Sequence, residues 1–122
     1  LAGENRRPAD LKALADAALL RQWQAEVAAL FLSPELQEML LALAQRSRED
    51  ARVRIGLSPR GLLALKASAQ AWAFLAGRDF VTPDDLRAVT VPVLGHRLLS
   101  SASLGGDELT ALLMQDTWGF GP

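Results

Sequence analysis

The residue types that could do chemistry are few in this chain, and their spacing excludes most kinds of active site. Among 122 residues there is no cysteine and one histidine, His96. His96 has no neighbouring nucleophile with a recognisable signature, so neither an acid–base pair nor a catalytic triad is indicated. A phosphate-binding loop and metal-ligand spacing are also absent from the sequence. We therefore predict no catalytic residue, no metal ligand and no activity for the chain alone.

The most informative segment is Gly-Leu-Ser-Pro-Arg-Gly at residues 56–61. Ser58 can cap a helix, and Pro59 suits the first helical position. Arg60 then lies in the first turn, where its side chain can extend past the helix end beside free N–H groups that favour an anion. The segment indicates an anion-binding arginine, with an ordinary salt bridge as the alternative.

Asp84 and Asp85 form a carboxylate pair, but their position indicates a structural role. They follow Thr82 and Pro83, at the second and third positions of a predicted helix. Carboxylates there complement the helix dipole and cap free N–H groups. We interpret the pair as a cap rather than as acid and base.

Basic residues are concentrated in one segment, although the formal net charge is only −1. Balanced charge disfavours nucleic acid or an acidic membrane as the partner, because phosphate attraction needs clustered positive charge. Arginine offers a planar fork of donors that suits carboxylates and phosphates, so we expect this segment to face a partner domain or a neighbouring subunit. Its five arginines are Arg46, Arg48, Arg52, Arg54 and Arg60, against only Glu49 and Asp50.

Helices must position these residues, since leucine and alanine dominate and no stretch alternates like a strand. Three helix starts share a hydroxyl residue followed by proline. They predict helices over Pro34–Asp50 and Pro59–Ala76 and a third helix from Pro83 that Pro92 interrupts. The Pro59–Ala76 helix is predicted to bury Leu62, Leu65, Ala69, Trp72, Ala73 and Ala76.

Further helices are predicted near both ends of the chain. Residues 8–30 are helical by composition, with a phase change at residues 19–23 that indicates two helices and a bend. A short helix over residues 105–114 precedes a loose end at residues 118–122. Residues 97–99 could form a small strand pair with either residues 31–32 or residues 52–55. The predicted fold is all-α, a bundle of about four main helices with at most one very short strand pair.

A length of 122 residues suits one compact domain. We expect a linker and leading helix at 1–20, a helical bundle at 21–99 and a C-terminal tail with a short helix at 100–122. No apolar run approaches the ~18–20 residues that span a bilayer, and no signal peptide opens the chain, so we expect a soluble protein without a membrane partner. The first eight residues resemble a linker, from which we infer a fragment or a processed product.

Three ordered motifs resemble the helical lid subdomain of the MoxR family of AAA+ ATPases, relatives of the magnesium-chelatase ATPase subunit. The motifs are Gly-Leu-Ser-Pro-Arg at 56–60, Gly-Arg-Asp-Phe-Val-Thr-Pro-Asp-Asp-Leu at 77–86 and Val-Leu-Gly-His-Arg-Leu at 93–98. The resemblance covers residues 23–99. It departs from the family pattern at Leu57, where a small residue is usual, at Gly95, where a charged residue is common, and after Ser100.

The resemblance implies that this lid closes over ATP and Mg²⁺ held by the protein's own N-terminal ATPase core domain. Arg60, within its motif of Ser58 and Pro59, would be the second sensor that approaches the γ-phosphate. The family further implies a ring, usually hexameric, that acts as a chaperone-like machine in protein maturation or in metal and cofactor insertion. A von Willebrand factor A domain protein is an implied partner, and we expect a cytoplasmic location. We expect His96 and Arg97 to serve lid packing or a contact with a neighbouring subunit.

Two other functions stay open. A DNA-binding helix-turn-helix could use the short glycine-containing turn between the helix that ends at Ala76 and the helix that begins at Pro83, with Arg78 and Arg87 nearby. Asp84 and Asp85 would then face phosphates, which disfavours this hypothesis. A stand-alone helical protein-interaction module predicts no nucleotide dependence even beside a restored ATPase core.

Overall fold

Five helices and one pair of short strands make up residues 16–122, the part of the chain that this computed structural model describes. The all-α fold with a very short strand pair is therefore confirmed. Helix α1 occupies residues 16–28. The later elements are α2 (Pro34–Glu49), β1 (Val53–Ile55), α3 (Pro59–Leu75), α4 (Pro83–Leu94), β2 (Leu99–Ser100) and α5 (Gly106–Trp118).

The hydroxyl caps begin three helices as predicted. The Ser33 Oγ accepts from the backbone N–H of Leu36 at 3.2 Å, and the Ser58 Oγ accepts from that of Gly61 at 3.0 Å. Thr82 forms a reciprocal capping box with Asp85. Each cap satisfies an N–H group that has no partner within its own helix, which fixes where the helix starts.

The core lies between α2, α3, α4 and α5. Helix α3 packs on α4, while α5 packs on both α2 and α4. Burying a large apolar side chain contributes about 1.5–3 kcal/mol, so this cluster supplies most of the folding free energy. The largest apolar side chains that are almost completely buried are Leu43, Leu57, Leu65, Leu86, Leu94, Leu109, Leu113 and Met114.

The strand pair links the Arg-rich segment to the region after α4. Strands β1 and β2 are antiparallel, with Val53 opposite Ser100 and Ile55 opposite Leu99. The backbone N–H of Ser101 also donates to the carbonyl of Arg52 at 2.8 Å. The predicted pair is confirmed, with its second strand slightly later than expected.

Two helix predictions were wrong. Pro92 does not interrupt α4, which continues to Leu94, and the backbone N–H of Gly95 still donates to the Val91 carbonyl at 2.8 Å. The predicted bend in the leading helix is absent, since residues 16–28 are unbroken. Leu20 and Trp23 are exposed there, so no core face fixes the phase of the apolar pattern. Residues 8–15 lie outside the described part.

The predicted buried face of α3 is confirmed at Leu65, Ala69 and Ala73 and wrong at Trp72 and Ala76. Trp72 is 50% exposed, and Ala76 is exposed beyond the helix end. The buried stripe consists of Leu65, Ala69 and Ala73. The two alanines allow α4 to approach closely, and Trp72 falls on the adjacent face. The left-handed Gly77, at φ 80°, follows the end of this helix as expected.

The C-terminal residues are not a loose end. Helix α5 extends to Trp118, whose Nε1 donates to the Met39 carbonyl at 2.9 Å. The Phe120 ring lies 5.6 Å from that of Trp118, and the Arg87 guanidinium lies 4.8 Å from the Phe120 ring centre. These contacts hold the residues after α5 against α2 and α4. None of the described helices is long and apolar enough to cross a membrane.

Candidate functional site

Arg60 lies in the first turn of α3 and is exposed. Within residues 16–122 its side chain has no hydrogen bond and no ion pair, so the alternative of an ordinary salt bridge finds no partner there. A guanidinium without a counter-ion beside free helical N–H groups can receive an anion from outside.

Ser47 and Gly56 fix the position of the start of α3 through contacts with the end of α2. The Ser47 side chain is buried, donates to the Ala44 carbonyl at 2.7 Å and accepts from the backbone N–H of Leu57 at 2.8 Å. A Cβ on Gly56 would lie 2.7 Å from the Ser47 carbonyl oxygen, so only glycine fits. The end of α2 thus sets the place where the Arg60 motif begins.

Leu57 and Gly61 pack together under the motif. Leu57 is buried, and a Cβ on Gly61 would lie 2.6 Å from its Cδ1. The leucine that departs from the family pattern thus fills the space that Gly61 leaves. It anchors the helix start in the core.

The Arg-rich segment binds carboxylates of its own chain. The Arg52 Nε donates to the Asp50 Oδ1 at 2.9 Å, and its Nη2 donates to the Asp50 Oδ2 at 2.7 Å and to the Asp116 Oδ2 at 2.6 Å. Arg46 lies 3.5 Å from Asp50 and 3.7 Å from Asp116. Hydrogen bonds from Arg52 hold the pKa of Asp50 well below its usual range, and those to Asp50 and Asp116 raise the pKa of Arg52.

Two of the five clustered arginines are therefore used inside the domain. This corrects the expectation that the whole segment faces a partner. That expectation counted only Glu49 and Asp50 as acids that could pair with these arginines. The missing acid, Asp116, is 64 residues from Arg52 in sequence, on α5. Arg48 and Arg54 are exposed and, like Arg60, have no ion pair among the described residues.

Asp85 is a structural cap, as interpreted. Its carboxylate is 1% exposed, receives two hydrogen bonds from Arg78 at 2.6 and 2.5 Å and accepts from the Thr82 backbone N–H at 2.7 Å. Burial raises the pKa of Asp85, but the hydrogen bonds from Arg78 and Thr82 outweigh it and the pKa is lowered. Arg78 is therefore paired with Asp85 and is not available to DNA phosphates, which disfavours the helix-turn-helix hypothesis.

The Gly95 departure from the family pattern has a steric cause. A Cβ on Gly95 would collide with the Asp107 carboxylate, and one on Gly106 would collide with the Gly95 carbonyl. The two glycines let the end of α4 touch the start of α5. His96 and Arg97 follow and are exposed.

An apolar groove between α1 and α3 was not predicted from the sequence. Its volume is about 490 Å³, and its lining includes Leu20, Trp23, Val27 and Phe74. On α3 the lining begins at Ala67, toward the end of the helix away from Arg60. The signal that could have revealed this groove was the run of apolar residues in α1, which none of the predicted core helices needed as a packing partner.

Comparison with known proteins places these features in a family. Residues 45–114 match the family model described as AAA lid domain, which is more than half of the chain. The uncharacterized protein YeaC of Bacillus subtilis (strain 168) is 37% identical over 76 residues, covering 62% of this chain and 24% of that protein.

Two relatives carry MoxR names. Protein MoxR of Paracoccus denitrificans is 47% identical over 60 residues, covering 48% of this chain and 18% of that protein. Chaperone MoxR1 of Mycobacterium tuberculosis (strain ATCC 25618 / H37Rv) is 40% identical over 58 residues, covering 48% and 15%. The chain thus spans about a quarter or less of the length of these relatives.

A solved structure shows the same fold. The crystal structure described as a "putative ATPase" from Cytophaga hutchinsonii ATCC 33406 superposes with a TM-score of 0.67 at 21% identity, covering 75% of this chain and 32% of that one. The family match and the MoxR relatives assign the chain to a family. It belongs to the AAA lid domain family and is the lid region of a MoxR-family AAA+ ATPase.

Proposed function

We propose that this lid closes over ATP bound to the ATPase core of the same protein, and that Arg60 contacts the γ-phosphate. The observation that carries the proposal is the exposed guanidinium in the first turn of α3, without a counter-ion among residues 16–122. An arginine held this way is available to an incoming phosphate.

The rigidity of the α3 start supports this role. Ser47, Gly56 and Leu57 fix the backbone that precedes Arg60, and the Ser58 cap with Pro59 fixes the first turn. A preorganised charge lowers the cost of stabilising charge that develops during phosphoryl transfer. Arg60 would thus meet the phosphate without reorganisation of its own helix.

The described residues fit a sensor better than a nucleotide-binding site. They include no cluster of three or more residues able to hold a metal ion. ATP and Mg²⁺ would therefore be held by the core, and the lid would contribute the Arg60 guanidinium with Ser58 and Pro59 as its support.

The wider assembly follows from the family. The relatives are several times longer than the matched segment, and one is named a chaperone. We place this lid in a cytoplasmic, ring-forming machine, hexameric as is usual in the family, for protein maturation or metal and cofactor insertion. A von Willebrand factor A domain protein remains the proposed partner. Within the chain, residues 1–20 would lead from the core, 21–99 form the lid bundle and 100–122 form the tail.

The experiment is steady-state hydrolysis by the complete ATPase. Arg60→Ala should lower kcat by roughly 10²–10³, the usual cost of removing one donor from a charge-stabilising site. Arg60→Lys should restore part of the rate, because a point charge lacks the guanidinium fork. The matched control, Arg21→Ala, removes an exposed arginine on α1 and should leave kcat unchanged. Full hydrolysis by Arg60→Ala would refute the sensor role.

A further inference from the structure

Arg97 reaches the first turn of α3 from a different part of the chain. It lies in the turn that follows α4, where its backbone N–H donates to the Leu94 carbonyl at 2.9 Å. Its Cδ is 3.7 Å from the position that a Cβ on Gly61 would occupy. Cδ is bonded to Nε, so the guanidinium group of Arg97 begins one bond from this contact with the residue that follows Arg60.

This approach depends on the backbone around it. Gly61 has no side chain to keep the Arg97 stem away, and the buried Leu98 anchors the following residue in the core. The contact between Gly95 and Gly106 fixes the turn from the other side. Arg97 is thus held near α3 from both directions, although its own side chain is exposed.

Arg97 also lacks a counter-ion. Across residues 16–122 it forms no ion pair, whereas Arg46, Arg52 and Arg78 all bind carboxylates. Two cations near one helix turn repel each other, and an anion between them removes that cost. Arg48 and Arg54 also lack an ion pair, but the described contacts do not bring either of them to this turn.

We propose that Arg97 is a second phosphate-contacting arginine, acting with Arg60 on the nucleotide that the lid closes over. The proposal rests on the proposed function and goes beyond it. It assigns a binding role to a residue that the sequence pointed to only as a packing or subunit contact. Since charge-assisted hydrogen bonds are about twice as strong as neutral ones, losing Arg97 should weaken nucleotide binding by roughly tenfold or more.

The test measures nucleotide affinity of the complete ATPase by isothermal titration calorimetry with a slowly hydrolysed ATP analogue and Mg²⁺. Arg97→Met keeps an aliphatic stem over Gly61 and removes the charge, so it should raise Kd roughly tenfold while ring assembly, measured by light scattering, stays unchanged. Arg97→Lys should recover part of the affinity. Arg21→Met, which removes an exposed arginine on α1, is the control and should bind as the unmodified protein does.

The outcomes separate the two proposals. Unchanged Kd in Arg97→Met, with hydrolysis still lost in Arg60→Ala, would overturn the role of Arg97 and leave the sensor role of Arg60 intact. Normal hydrolysis in Arg60→Ala would instead overturn the proposed function. Equal loss of affinity in Arg97→Met and Arg97→Lys, together with loss of the ring, would show a purely structural role and would also overturn this inference.

Discussion

Two pairs of arginines in this lid have the same chemistry and opposite surroundings. Arg78 and Arg52 each form short hydrogen bonds with carboxylates of the same chain, at 2.5–2.7 Å in their closest contacts. Arg60 precedes Gly61, the Arg97 Cδ lies near Gly61, and neither arginine has a counter-ion in the described residues. The first pair holds helices and loops in place, and the second pair is available to an external anion.

The difference shows that arginine composition alone does not locate a binding surface. The densest run of arginines, at residues 46–54, contains the internal pairs of Arg46 and Arg52. The available charge at α3 includes Arg97, which is far from that run in sequence. An arginine is available for binding only where the fold gives it no internal carboxylate partner. The tertiary structure decides which arginines have such a partner.

Arg78→Met should have the largest effect on stability. It leaves Asp85, which is 1% exposed, without its cation. We expect the free energy of unfolding to fall by more than in Arg52→Ala, because the carboxylate left without a cation is buried, although the 29% exposure of the Arg78 side chain moderates the loss. Urea unfolding followed by circular dichroism measures this, with Arg54→Met as the control. A loss no larger than in the control would contradict the structural role of Arg78.

Acid should destabilise the lid through the same group. The pKa of Asp85 is lowered in the folded chain, so its contribution is present above the unfolded value of about 4 and is lost as the pH falls through the folded value. Unfolding free energies between pH 6 and pH 2 should therefore decline more steeply in the unmodified chain than in Arg78→Met. Parallel curves would mean that Arg78 does not set the ionisation of Asp85.

Arg52→Ala should have a smaller effect. The Arg52 and Asp116 side chains are 35% and 37% exposed, so water screens their attraction. We expect a loss of about 1 kcal/mol that shrinks at high salt. A double-mutant cycle with Asp116→Ala isolates the interaction free energy between Arg52, which directly precedes β1, and Asp116 on α5. Zero coupling at low salt would rule out this link.

Arg60→Ala should have the smallest effect on stability. Its side chain is exposed and without an internal partner in the described range, so we expect the isolated lid to change by less than about 0.5 kcal/mol. The melting temperature should stay within a few degrees of that of the unmodified lid. A drop as large as that of Arg78→Met would place Arg60 among the structural arginines.

Local signals made much of the fold predictable from the sequence. Hydroxyl-proline caps fixed the starts of α2, α3 and α4, because capping depends on neighbouring residues. The Arg60 motif was identifiable for the same reason. Trp72 was assigned to the core wrongly, since helical spacing does not show which face the small alanines leave for α4.

Contacts between distant residues were not predictable. Nothing in the sequence pairs Arg52 with Asp116, Ser47 with Leu57 or Gly95 with Gly106, since each pair meets only after the helices pack. The position of Arg97 beside Gly61 belongs to the same class. These contacts determine which charges remain available, so they carry the part of the site that sequence periodicity does not encode.

Closure of the lid in the complete ATPase is the most direct test of the role of Arg60. A fluorophore on Ser103→Cys, an exposed position in a lid that has no native cysteine, and a second fluorophore on the core report their separation by energy transfer. With a slowly hydrolysed ATP analogue and Mg²⁺, transfer should rise in the unmodified protein and in Arg21→Ala but stay at the nucleotide-free level in Arg60→Ala. An equal rise in Arg60→Ala would contradict the claim that Arg60 couples the nucleotide to lid closure.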